Sequence, residues 1–205
     1  DAVVKMSNHA TTADAVYHLS DAICSIANGI DASVKVVFAT AAIVDAVVIL
    51  ANHASTPNAV RSLSVAIFAV TEGADASVKV MFATAGIVDA VVKMSNHATT
   101  ADAVYHLSDA ICSIANGIDA SVKVVFATPA VVDAIVRMAH HASTPNAVDC
   151  LSAAICHITD GMDSSVKAVF ATPVVLEAIA RMSAHATTPD AAYWLSAARN
   201  TIDES

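Results

Sequence analysis

The sequence predicts an all-α fold, an α-solenoid assembled from three-helix units of 44 residues. Three observations predict it. His9, His53, His97, His141 and His185 recur at a constant step of 44 residues with no insertion between them. The forty residues that begin at Asp1 return letter for letter from Asp89, so the identity spans two steps. Each step also carries three helix-start signals and one stop, which leaves little room for strand.

The step divides the chain into a partial unit, 1–29, holding helices two and three only, then full units 30–73, 74–117, 118–161 and 162–205, one continuous array. In the unit 118–161, Asp119 can cap a short first helix that runs to about Ala127. Thr128–Pro129 is a capping hydroxyl followed by a proline at the first helical position, which starts helix two. Thr144–Pro145 repeats that signal for helix three, and Gly161 suits a left-handed C-terminal cap. On helix two an acid precedes a base by four residues at Asp1/Lys5, Asp89/Lys93, Asp133/Arg137 and Glu177/Arg181, an arrangement expected to close as ion pairs along the helix. Helix three carries an aliphatic stripe, Val148, Leu151, Ile155 and Ile158, edged by the small residues Ala147, Ala154, Ser152 and Cys156. Small edges let equivalent helices of neighbouring units lie side by side.

Composition agrees. Hydrophobic residues make up 56% but aromatics only 4%, so the core material is Ala, Val, Ile and Leu. Mean hydropathy of +0.62 raises a membrane question, most sharply at Val36–Ala51. That stretch is shorter than the roughly 20 residues a span needs, and Asp45 at its middle would cost about 3 kcal/mol; no membrane insertion is expected. A net charge of −9 disfavours nucleic acid, which wants a basic stripe. Cys24, Cys112 and Cys156 share one register position, about 10 Å apart in a helical stack and beyond disulfide reach. With Cys150 they are expected as reduced thiols in an intracellular, cytoplasmic setting. The chain opens on Asp1 with no targeting run, so its first residue is expected to be an imposed boundary.

The segments "TPNAVDCLSAAICHITDG" and "ADAVYHLSDAICSIANG" resemble the third helix of an armadillo repeat, and "FATAGIVDAVVKM" (Phe82–Met94) resembles its first-to-second helix passage. HEAT repeats, with two helices per unit, are the near alternative. The resemblance implies a right-handed superhelix whose third helices line a concave groove for extended peptides. Helix-three positions at which the units differ form four sets: Tyr17, Arg61, Tyr105, Asp149 and Tyr193; His18, Ser62, His106, Cys150 and Trp194; Asp21, Val65, Asp109, Ala153 and Ala197; Ser25, Ala69, Ser113, His157 and Thr201. Their offsets place them on one face, opposite the aliphatic stripe. Such positions also drift when nothing restrains them, but Tyr, His, Trp, Arg and Asp are residues that contact surfaces use. The Trp–Asn pair by which related nuclear-import adaptors hold a ligand's main chain is missing. Asp21/Ser25, Val65/Ala69, Asp109/Ser113 and Ala153/His157 stand there instead, which argues against a nuclear-signal receptor.

Asp21, Glu72, Asp109, Asp149 and Asp160 outnumber Arg61 on or beside this face, so a protein or peptide segment containing Arg or Lys is the expected partner class. The rival expectation is a structural spacer with an idle face; a designed repeat protein is a third reading, disfavoured by the irregular Cys, Met and His usage. The in-register histidines are expected to cap carbonyls at the end of helix two rather than bind metal, because copies about 10 Å apart cannot share one ion. No nucleophile elbow, HExxH, phosphate loop or CxxC is present, and nearly every residue exists in several copies; no catalysis and no cofactor are expected. Arg199 and Asn200 give the last unit a polar, capping outer face, whereas the partial unit at 1–29 leaves an interior-type edge expected to associate with another chain or further units.

Overall fold

A computed structural model describes residues 2–28, 31, 35, 36 and 39–203. Helix is the only regular structure among the described residues, in an order that repeats: α1 (Ala2–Ser7), α2 (Ala13–Asn28), α3 (Ala41–Ala51), α4 (Pro57–Thr71), α5 (Ala76–Phe82), α6 (Ala85–Ser95), α7 (Ala101–Ala115), α8 (Ala120–Lys123), α9 (Pro129–Ala139), α10 (Pro145–Thr159), α11 (Ser164–Lys167), α12 (Pro173–Met182) and α13 (Pro189–Asp203). A single 3-10 turn, Val124–Phe126, extends α8, and another, Ser183–His185, follows α12. Lys35 and Val36 are helical, but the rest of the first helix expected in 30–73 falls largely outside the described residues, as does Asp1. No described helix is long and apolar enough to cross a membrane.

The helices start where local chemistry says they should. Thr56, Thr84, Thr100, Thr128 and Thr144 hold extended backbone, and each side-chain oxygen accepts from the backbone N–H three residues on. Each thus satisfies one donor that a helix start leaves open. The stops are sharper than a simple helix cap. Gly73 and Gly161 have φ of 62° and 73° and follow extended residues, and the Ala74 and Met162 N–H groups reach back to Thr71 and Thr159 at 3.2 and 3.1 Å. That is a type II turn, whose third position wants glycine.

The long helices α2, α4, α7, α10 and α13 pack in chain order, each inner one between its two neighbours. The last four begin at residues 57, 101, 145 and 189, a constant spacing of 44. Helices α1, α3, α6, α9 and α12 form a second row, each touching the long helix that follows it. Between the rows the aliphatic stripe disappears from solvent: Val148, Leu151, Ile155 and Ile158 are all fully buried. Burying each such side chain is worth about 1.5–3 kcal/mol. Phe82, Phe126 and Phe170, from the short helices or just after them, are the largest fully buried side chains. Ala147, Ala154 and Ser152 at the stripe's edges are also fully buried, so adjoining helices meet through small residues.

A lysine fixes the short helices to the stack. Lys35 donates to the Glu72 carbonyl at 2.7 Å, Lys79 to that of Asn116 at 2.9 Å, and Lys123 to that of Asp160 at 3.3 Å. Each ammonium therefore sits at the C-terminal end of a long helix, where free carbonyls and the helix dipole favour a cation. Lys123 is almost wholly buried there, with the Asp160 carboxylate 3.6 Å away.

Two sequence expectations are corrected. Asp1/Lys5 falls partly outside the described residues; of the other three acid–base pairs along helix two, Glu177–Arg181 closes, at 3.2 Å. The bases otherwise reach back across the step: Lys93 donates to Asn52 Oδ1 at 2.7 Å, Arg137 to Ser95 Oγ at 2.9 Å, and Arg181 touches His140. A partner on the adjoining helix is closer to these long side chains than the carboxylate one turn away. The in-register histidines do not cap through their rings. Their backbones close the turn, with His53, His97 and His141 N–H groups donating to Leu50, Met94 and Met138 at 2.9 Å.

Replacing Lys123 with Met should lower stability by about 1–3 kcal/mol, because the part-buried Asp160 carbonyl loses its charged donor. Denaturant unfolding measures this, and the same change at the more exposed Lys79 should have a smaller effect.

Candidate interaction face

The face singled out in the sequence is narrower than expected. Ser62, Ala69, Ser113 and Ala153 are buried, at 1, 3, 3 and 7% exposure, and cannot meet a ligand. The reason is the packing just described: an inner long helix has a neighbour on each side, so only a wedge between them stays open. Ser113 shows it directly, sharing a 2.6 Å hydrogen bond with Thr71 across α7 and α4. Half-buried are Tyr17, Arg61, Val65, Tyr105, His106, Asp109, Asp149, Cys150, His157 and Trp194. His18, Asp21, Ser25 and Tyr193, at or near the two ends of the row, are exposed.

Three groupings emerge along the row. Between α4 and α7, Arg61 Nε lies 2.8 Å from Asp102 Oδ2, and His106 Nε2 lies 3.7 Å from Asp102 Oδ1. Tyr105 meets His106 edge to face with ring centres 4.6 Å apart. Burial lowers the His106 pKa against the pull of Asp102. Arg61, the one base expected on the face, is thereby neutralised.

The middle is acidic. Burial pushes the Asp109 carboxyl up to about 6, with Glu72 and Asp149 adding to the rise. Asp149 is raised too, by burial and then by Asp190. Carboxylates from α7 and α10 and the end of α4 therefore act on one stretch, and among the described residues no cation offsets the rise at Asp109 or Asp149. Beneath them Cys150 is driven up to about 12 by burial, Asp109 and Asp149. Burial likewise raises Cys24, Cys112 and Cys156, the last to about 11. These thiols are poor nucleophiles.

The far end is aromatic. Trp194 packs against His157 and Tyr193, each with ring centres 5.3 Å away. A pocket of 340 Å³ opens beside it, lined by Cys156, His157, Asp160, Lys167 and Thr201. No three His, Cys, Asp or Glu among the described residues are grouped to hold a metal.

Asp102 and Asp190, first-turn acids of their helices, belong to the face although helix-start roles alone suffice to explain them. Asp102 lies 41 positions after Arg61 and Asp190 lies 41 after Asp149. Neighbours across the step meet three residues short of the 44-residue register, and that offset is the signal that finds them.

By its fold the chain is an all-α protein. Set against known protein families, curated proteins and solved structures, it matches none.

A pH test follows from Asp109. Its folded pKa of about 6 stands above the unfolded value, so ionisation is penalised only in the folded chain. Stability is therefore lost as pH rises from about 4 through about 6, and the penalty is complete above that. Asp109→Asn should raise the thermal midpoint near pH 7.5 and leave it unchanged near pH 4, read by calorimetry at both.

Proposed function

We propose that the chain is a right-handed, armadillo-type α-solenoid that serves as an intracellular scaffold, binding an extended or helical segment rich in Arg or Lys across its long helices. The single observation that supports this most is the uncompensated acidic stretch around Asp109. Beside burial, Glu72 and Asp149 raise the pKa of Asp109 and Asp190 raises that of Asp149, and a bound guanidinium or ammonium would relieve that repulsion. The ligand's charge would replace the missing counter-ion, so binding would strengthen as the carboxylates ionise.

The aromatic end adds a second foothold. A guanidinium stacked on Trp194 would gain a cation–π contact, and Asp160 lines the same pocket. Lys167 lines the same pocket and offsets part of its negative charge. No catalysis is proposed, and burial leaves the Cys150 thiol a poor nucleophile.

Fluorescence anisotropy with a labelled peptide of alternating Arg and Ala, against its Glu counterpart, tests this. The Arg peptide should bind and the Glu peptide should not. Changing Asp109 and Asp149 together to Asn should weaken binding about tenfold or more, and added salt should weaken it as well. Equal behaviour of the two peptides would favour a spacer with an idle face.

A further inference from the structure

Residues 1–29 and 89–117 have the same sequence, so any difference between them is made by their surroundings. In the second copy, α6 packs against α3, and α7 packs against α4 and α5. Met94 and Ile114 there are fully buried. The matching residues of the first copy, Met6 and Ile26, are 56% and 43% exposed. His106 keeps 20% of its side chain exposed, and His18 keeps 70%. A groove of 360 Å³ runs over α1 and α2, lined by Met6, Ala10, His18, Leu19 and Ala22.

We infer that this uncovered face is a docking surface, and that its occupant is a helical unit with the side-chain chemistry of residues 41–82. The covered copy specifies that chemistry contact by contact. Asp102 takes Arg61 at 2.8 Å, so Asp14, its counterpart, requires a guanidinium at the same place. Ser113 shares a hydrogen bond with the Thr71 hydroxyl, so Ser25 requires a hydroxyl. Between these polar points, Met6 and Ile26 require apolar cover, as Met94 and Ile114 have.

A second copy of this chain fits poorly. Its last long helix, α13, carries Tyr193 where Arg61 stands and Arg199 where the buried Ile67 stands. The inference rests on helix packing alone and is independent of the peptide reading above.

The experiment places a copy of residues 39–88 directly before residue 1 of the full chain and follows methionine oxidation by peroxide with peptide mapping. In the unaltered chain Met6 should oxidise about tenfold or more faster than Met94. In the extended chain Met6 should slow to the Met94 rate, and changing the added copy's arginine (the counterpart of Arg61) to Glu should partly restore its speed. Unchanged Met6 oxidation in a folded extended chain would overturn the inference. Should the extended chain not fold, the unaltered one still decides. Equal rates for Met6 and Met94, or a concentration-dependent dimer in sedimentation that Met6→Glu abolishes, would overturn it, since the face would then be covered already or be occupied by a second copy.

Discussion

Everything in this molecule depends on one long helix lying flush against the next. Leu63, Leu107 and Leu151, with Ile67, Ile111 and Ile155, are fully buried between the two rows of helices, so the core is one seam rather than separate nuclei. Flush contact demands small side chains at the edges, and the chain accepts a penalty to keep them. Ser20, Ser64, Ser108 and Ser152 stand at one register position, each buried with a hydroxyl that finds no protein partner. An unsatisfied hydroxyl costs about 1–3 kcal/mol, yet a larger residue there would pry the helices apart.

Aliphatic contact alone would let the helices slide, because it is not directional. Directed contacts hold the register instead. Lys35, Lys79 and Lys123 each pin the end of a long helix, while Lys93, Arg137 and Arg181 each grip the end of the preceding helix of the second row. The lysine-to-carbonyl joints repeat with the same chemistry, whereas the second-row bases meet an amide, a hydroxyl and an imidazole in turn, and Ile49 stands in the register position that would reach back to α1. A protein with ten Lys and Arg in all spends most of them on its joints, which is why so few are left to balance the acids on the face.

Helix starts, stops and the aliphatic stripe were legible in the sequence because each depends on residues a turn or less away. Thr144 caps Ala147, and Gly161 turns the chain after Thr159, whatever surrounds them. The face was legible only in part. Offsets on a helix say which residues point together, but not how much of that direction a neighbour covers, so Ser62, Ala69, Ser113 and Ala153 read as surface and are core. The partners of Lys93 and Arg137 were hidden for a related reason: contacts 41 or 42 positions apart cannot be told from the 44-residue step until the helices are stacked.

What the stack leaves open follows from the same geometry. Each inner long helix shows solvent a wedge, and the residue most constantly in it is the one at Tyr17, Arg61, Tyr105, Asp149 and Tyr193. Packed helices stand about 10 Å apart and an extended chain advances about 3.3 Å per residue, so a strand crossing the row would meet one such side chain every third residue. These side chains would confront it in a fixed order: aromatic, cationic, aromatic, anionic, aromatic. Arg61 is already tied to Asp102, so the charge such a strand would sense is that of Asp109 and Asp149, placed between two aromatic contacts. A face whose joints repeat while its open positions alternate between tyrosine and a charge concentrates its variation where it disturbs packing least.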